Sequence, residues 1–509
     1  MDHEMPHRPG PERLPRSRVA PLAFEAESFR RAGHALVDRL AAFLDGLPDG
    51  PVTPGESPAQ VRAVLAAEAP LPEEGMALEP LLESASRLLI EHSLCNGHPR
   101  FLGYITSSPA PVGMLADFLA AAVNPNVGAW QLSPMATEIE AQTVRWIAEL
   151  VGYPTSCGGL LVSGGNLANF TALLAALAAE HPTGRREGRF DGRAKPPRVY
   201  ASVETHTWLQ KTADLAGIGT DAVRWLPVDA GQRLDVTALR EALARDAAHG
   251  ERMAMVVGNA GTVSTGAVDP LAELAEVCRQ AGVWFHVDGA YGGFAAALPD
   301  APADLRALAL ADSVALDPHK WLYAPLEAGC VLVRDPEVLR NAFSYHPPYY
   351  HFGEEATNYF DHGPQNSRGF RALKVWLALR QAGRNGYLRM LSDDVRLAAL
   401  LYRELQQQRE LEVHTLNLSI VTFRYVPADL RAQAGEPPVA SYLDTLNEHL
   451  LERIQKSGQA FVSNAVVNGR YLLRACIVNI NTDTPDVQAV PAIVTRLGRE
   501  ADAELRARR

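Results

Sequence analysis

The chain has 509 residues, with 48 Lys and Arg against 59 Asp and Glu, for a formal net charge of −11. So acidic a chain has no general electrostatic pull toward nucleic acid or an anionic membrane. Its 47% hydrophobic and 21% charged residues describe a protein with a sizeable core, and they exclude a disordered, collagen-like or disulfide-stapled chain.

Residues 1–22 mix charge with proline and lack an apolar stretch, which predicts a disordered lead-in that is neither signal peptide nor anchor. From Phe24 to about Leu47 apolar residues recur at helical spacing, and the proline-rich stretch from Pro48 to Pro58 ends the pattern. Helical pattern resumes in VRAVLAAEA and LEPLLESASRLLIEHSL, so residues 23–110 read as a helical arm. The loop HPRFLGYITSSPAP then leads into a large domain over residues 111–395.

That domain alternates helical segments with short apolar runs: LLVSGG, RVYASVE, AMVVGNAG, VWFHVDGA and DSVALDPHK. Continuous apolar runs predict a parallel sheet covered by helices on both faces, an α/β fold whose ligands gather beyond the carboxyl ends of the strands. After residue 340, YHPPYYHFGEEATNYFDHGPQNSRG is too polar for a core and predicts a long surface loop. A long helix from Phe370 to about Gln408 follows. Residues 396–509 mix strand-like and helical segments and predict a small α+β domain. The five cysteines, Cys95, Cys157, Cys278, Cys330 and Cys476, are scattered and odd in number, which suits reduced thiols in a cytoplasmic protein. The fifteen histidines include no HExxH pair, and no metal site is expected.

Chemistry concentrates at the strand ends. Lys320, in DSVALDPHKW, follows an apolar strand, where desolvation lowers an amine's pKa and makes it a nucleophile toward a carbonyl; a lysine snorkelling to solvent gives the same local pattern. Asp288, in VWFHVDGAYGG, sits among small residues and suits a flat cationic ring, though an aspartate capping the next turn reads alike. Ser163, Gly164, Gly165 and Asn166 open a helix and offer backbone N–H groups to a phosphate. His206 could stack on a planar ring or be an ordinary surface histidine.

Together with HPRFLGY, SPMATEIE, GNAGTVSTGAVD, SRGFRALKVW and LRACIVN, in that order from about Phe24 to Asp486, these motifs resemble the group II pyridoxal-phosphate-dependent amino acid decarboxylases. The resemblance implies fold type I, an aspartate aminotransferase-like large domain with an N-terminal arm and a small C-terminal domain. It also implies a homodimer with interface active sites and pyridoxal 5'-phosphate as cofactor. Lys320 would carry the cofactor, Asp288 would meet its ring nitrogen, His206 would stack on its ring, and Gly165 and Asn166 would meet its phosphate. Thr262, Ala290, Asp317 and His319 would line its site, with Tyr104 and Arg474 near the substrate. Tyr349 falls where the decarboxylases carry the loop tyrosine that donates a proton, with Tyr345 or Tyr350 as alternatives.

Two positions depart from the family's pattern: Asp317 stands where Asn is usual, and residues 124–130, NPNVGAW, lack the bulky apolar residues of the animal aromatic enzymes. The resemblance favours decarboxylation of an aromatic L-amino acid to its amine. Acidic or diamino substrates, oxidative decarboxylation to an aldehyde, and a silent cofactor-binding protein are the other readings.

Overall fold

The computed structural model describes residues 20–188, 195–345 and 356–508. The chain divides into two compact units, Met1–Gly50 with Glu56–Leu94, and Pro51–Gly55 with Cys95–Arg509. In the first, the helices Ala26–Gly46, Pro58–Leu65 and Leu78–Glu91 follow the apolar spacing of the sequence. The second of these starts on a capping box in which Ser57 and Gln60 satisfy each other's backbone N–H groups.

The second unit holds two sheets. Strands β1 (Gly158–Val162), β2 (Arg198–Ser202), β3 (Val223–Leu226), β4 (Met253–Asn259), β5 (Trp284–Asp288), β6 (Ser313–Leu316) and β7 (Gly329–Val333) pair in the order β1-β7-β6-β5-β4-β2-β3. β7 runs antiparallel to both β1 and β6, while the remaining pairs are parallel. The sheet is therefore mixed, where the sequence predicted a parallel one. Its apolar run, GCVLV, is buried throughout, and burial on both faces erases the alternation that would otherwise mark strand direction. Asn259 pairs with Asp288 and Asp288 with Ala315, so the carboxyl ends of β4, β5 and β6 lie level and present their last residues side by side. This sheet and its covering helices are the α/β, fold type I architecture that the motifs implied.

The smaller sheet is antiparallel, in the order β10-β11-β9-β8, from β8 (Leu411–Asn417), β9 (Ile420–Tyr425), β10 (Ser463–Val467) and β11 (Arg470–Cys476). The helix Ala372–Gln406 buries residues from Ala372 to Leu405 and runs from the large sheet to the small one. It is broken at Gly383, whose φ of 63° and ψ of 172° suit only glycine.

One expectation fails. The described part of the polar segment after residue 340 is not a surface loop: Tyr359, Phe360, Asp361 and Arg368 are buried. The Arg368 guanidinium pairs with buried Glu140, donates to the carbonyls of Val127 (2.9 Å) and Leu161 (2.6 Å), and lies 4.7 Å from the Tyr359 ring centroid. A charge this deep persists because both terminal nitrogens of the guanidinium have partners, among them the carboxylate of Glu140.

Candidate active site

The residues at the level strand ends surround one cleft, lined by Gly165, Asn166, His206, Trp208, Asn259, Thr262, Asp288, Ala290, Asp317 and Lys320 among others. Lys320 leaves β6 through the single helical turn Pro318–Trp321, which Pro318 starts. Its Nζ lies 3.0 Å from Asp317 Oδ2. Burial pulls the Lys320 amine down, but the carboxylates of Asp317 and Asp288 outweigh it and hold the pKa above the ordinary lysine value. The direction expected from desolvation alone is thus reversed, because two acids share the cleft.

Asp288 is fixed at both oxygens: the indole N–H of Trp208 donates to Oδ2 (2.7 Å) and the Ala290 backbone N–H to Oδ1 (3.1 Å). The aspartate therefore caps the turn after β5 and faces the cleft as well. His206 Nδ1 accepts from the Trp208 backbone N–H (3.1 Å), leaving the proton of a neutral ring on Nε2. Desolvation lowers its pKa against the raising pull of Asp288, which favours that neutral form.

Gly165 and Asn166 form the first turn of the helix Gly165–Glu180, whose preceding Gly164 has φ 105° and supplies no side-chain cap. That helix end offers uncapped N–H groups to an anion. A Cβ on Gly165 would stand 2.6 Å from Asp317 Oδ2 and 3.2 Å from Ala290 Cβ, so only glycine keeps the turn open. Thr262 is locked by its hydroxyl to Thr265 (3.1 Å).

Three of the expected residues do not line this cleft. His319 is turned onto the backbone of Ala328, with its Nε2 3.8 Å from Asp317 Oδ2. Tyr104 and Arg474 meet instead at Ser463: the Tyr104 backbone N–H donates to its hydroxyl (3.2 Å) and so does Arg474 Nε (3.1 Å). Arg474 reaches toward the cleft only through a hydrogen bond to the carbonyl of Val263. Tyr349 and Tyr350 lie outside the described residues, and Tyr345 lies under the Arg185 guanidinium, 4.2 Å from its ring centroid.

Sequence reasoning missed Trp208, two residues past His206, and the brace behind β4. There Asn259 Nδ2 donates to Thr205 (3.1 Å) and to Asp269 (2.8 Å), whose other oxygen accepts from the Leu234 N–H (2.7 Å). It also missed His286, neutral because burial lowers its pKa to about 4, and held by Asn169 (2.7 Å) and Ser313 (2.8 Å).

An amine for an aldehyde, a carboxylate for a ring nitrogen and a helix N-terminus for a phosphate form the donor set that pyridoxal phosphate needs, and the bare Gly165 leaves its backbone accessible. On such a sheet, this set defines a fold type I pyridoxal-phosphate enzyme. The family model for the pyridoxal-dependent decarboxylase conserved domain matches residues 58–426, and the chain belongs to that family. It is a pyridoxal-phosphate-dependent carboxy-lyase acting on an amino acid.

An aromatic-L-amino-acid decarboxylase from Bacillus atrophaeus is 31% identical over 484 residues, 94% of this chain and 97% of that one. Tyrosine decarboxylase 3 from Petroselinum crispum is 32% identical over 94% of this chain and 93% of its own. A crystal structure described as Oryza sativa TDC with PLP and tryptamine matches with a TM-score of 0.86 at 28% identity, over 95% of this chain and 99% of that one.

Proposed function

We propose that this chain decarboxylates an aromatic L-amino acid to its amine as a homodimer in the cytoplasm. The observation that carries the reading is the convergence of Lys320, Asp288, His206 and the Gly165 helix end on one cleft. The named activities of the Bacillus and Petroselinum relatives support the aromatic substrate. Exposed Leu115, Leu119 and Val123 along the helix Pro111–Val123 support a second copy, and the buried thiols of Cys278, Cys330 and Cys476, which form no disulfide, support a reducing compartment. No described helix is long and apolar enough to cross a membrane.

When bound, pyridoxal phosphate supplies an electron sink for the pair released at Cα as carbon dioxide departs. The chain's own residues do the rest. Lys320 would hold the cofactor through its aldehyde, and Asp317, 3.0 Å from its Nζ, balances the charge of the free amine. Asp288, oriented from both sides, would face the ring nitrogen and help it keep a proton. Gly165 and Asn166 direct their N–H groups and the positive helix end at the phosphate. The neutral imidazole of His206 would stack on the ring without adding charge. Tyr349, an assignment that rests on the family resemblance, supplies the proton that takes the place of the departed carbon dioxide on Cα.

The test is a panel of amino acids incubated with the purified protein and cofactor, with amine, carbon dioxide and peroxide each measured. Amine and carbon dioxide in equal amounts from tyrosine, dopa or tryptophan are expected. Turnover confined to glutamate, aspartate or 2,4-diaminobutyrate overturns the aromatic assignment. Tyr349→Phe is expected to retain the cofactor yet lose amine formation, and an unchanged amine yield assigns the proton to another acid.

A further inference from the structure

Trp208 is an unusual neighbour for the two side chains that face the ring. It is almost fully buried yet lines the cleft, and it touches both groups through different atoms. Its indole N–H donates to Asp288 Oδ2 at 2.7 Å, while its backbone N–H donates to His206 Nδ1 at 3.1 Å. The indole is held in place by an edge-to-face contact with His286, at 5.9 Å and 82°, and His286 is pinned by Asn169 and Ser313. An indole N–H has no acceptor capacity, so this contact works only with an oxygen that offers a lone pair. A donor so placed stabilises the ionised carboxylate, and hydrogen bonds to charged groups are the stronger kind.

We propose that Trp208 is a positioning residue of the cofactor site: its indole N–H fixes the rotamer of Asp288 and so sets where its carboxylate stands. Asp288 would then meet the pyridine nitrogen in a preset orientation. The proposal rests on the assignment of Asp288 to the ring nitrogen. Through the same residue's backbone, the stacking imidazole of His206 is held in its Nε2-protonated form, so one side chain and its own N–H set the two groups expected on the ring's face and at its nitrogen.

Replacement of Trp208 by 3-benzothienylalanine tests this most cleanly, because sulfur replaces the N–H with little change of shape. Trp208→Phe, which also removes the donor, serves as the genetically simple companion. The readouts are the dissociation constant of pyridoxal phosphate by equilibrium dialysis, the visible absorbance of the bound cofactor across pH, and kcat and KM separately. Loss of the donor is expected to weaken cofactor binding about tenfold or more, to shift the pH dependence of the absorbance, and to lower kcat with little change in KM. Wild-type affinity and an unshifted spectrum in the benzothienyl protein overturn the proposal, even if turnover falls. Asp288→Asn is measured in parallel. If it too leaves affinity and spectrum unchanged, the ring-nitrogen assignment fails; if it alone changes them, Asp288 keeps that role and Trp208 loses its own.

Discussion

Asp317 shows how one residue can reverse an argument made from burial alone. A desolvated lysine is a better nucleophile because it sheds its proton readily, but the Asp317 carboxylate 3.0 Å from Lys320, with Asp288 beyond, raises its pKa. Without cofactor the amine is therefore held as an ammonium, and attachment of the aldehyde needs that proton removed. Asp317→Asn is expected to lower the Lys320 pKa and to move the pH profile of cofactor attachment, followed by stopped-flow absorbance, toward lower pH. A profile that keeps its position contradicts the pairing. The acid was visible in the sequence three residues before the lysine; its orientation toward the amine was not, since the same side chain could have faced the phosphate end.

Elements carry that site through a second buried acid. Asp394, on the helix Ala372–Gln406, accepts from the indole of Trp321 (2.8 Å) and the hydroxyl of Tyr323 (2.7 Å), and so ties the turn bearing Lys320 to that helix. Tyr323 has φ 56°, a left-handed conformation that costs a tyrosine energy and that this bond helps hold. Burial pushes the Asp394 pKa up to about 8, against the lowering effect of the two hydrogen bonds. The folded state thus keeps a proton that the unfolded chain releases near pH 4, and stability falls as pH rises from about 4 to about 8. Asp394→Asn cannot titrate, so its thermal midpoint is expected to fall less steeply over that window; parallel slopes contradict the assignment. In the same helix, Gly383→Ala forces a Cβ into a glycine-only conformation and is expected to cost about 1–3 kcal/mol, read as a lowered thermal midpoint with the cofactor absorbance retained. An unchanged midpoint means that the break relaxes freely.

Across the whole molecule, what the sequence disclosed followed from where chemistry must sit in an α/β sheet. β1, β2, β4, β5 and β6 stood out as apolar runs whose carboxyl ends pointed to Gly165, His206, Asp288 and Lys320, while Thr262 came from the family resemblance; all five line the cleft. The antiparallel course of β7 escaped notice because a fully buried strand has the same pattern in either direction, and β3 because Arg224 interrupts its apolar run. The burial of Arg368 was hidden for another reason: its partner Glu140 lies 228 residues away, and no local pattern reports so distant an ion pair. Trp208 was in plain view, but nothing in a sequence says that an indole points at a carboxylate 80 residues on.

The account stands on covalent attachment of the cofactor at one amine, and the composition makes that easy to read. The chain has only five lysines, Lys195, Lys211, Lys320, Lys374 and Lys456. Lys374 is paired with Asp117 and Lys195 with Glu251. Borohydride reduction of the protein loaded with pyridoxal phosphate, followed by proteolysis and mass spectrometry, is expected to place one phosphopyridoxyl group per chain on Lys320. A stoichiometric label on any of the other four, with Lys320 unmodified, would contradict the assignment and the site built around it.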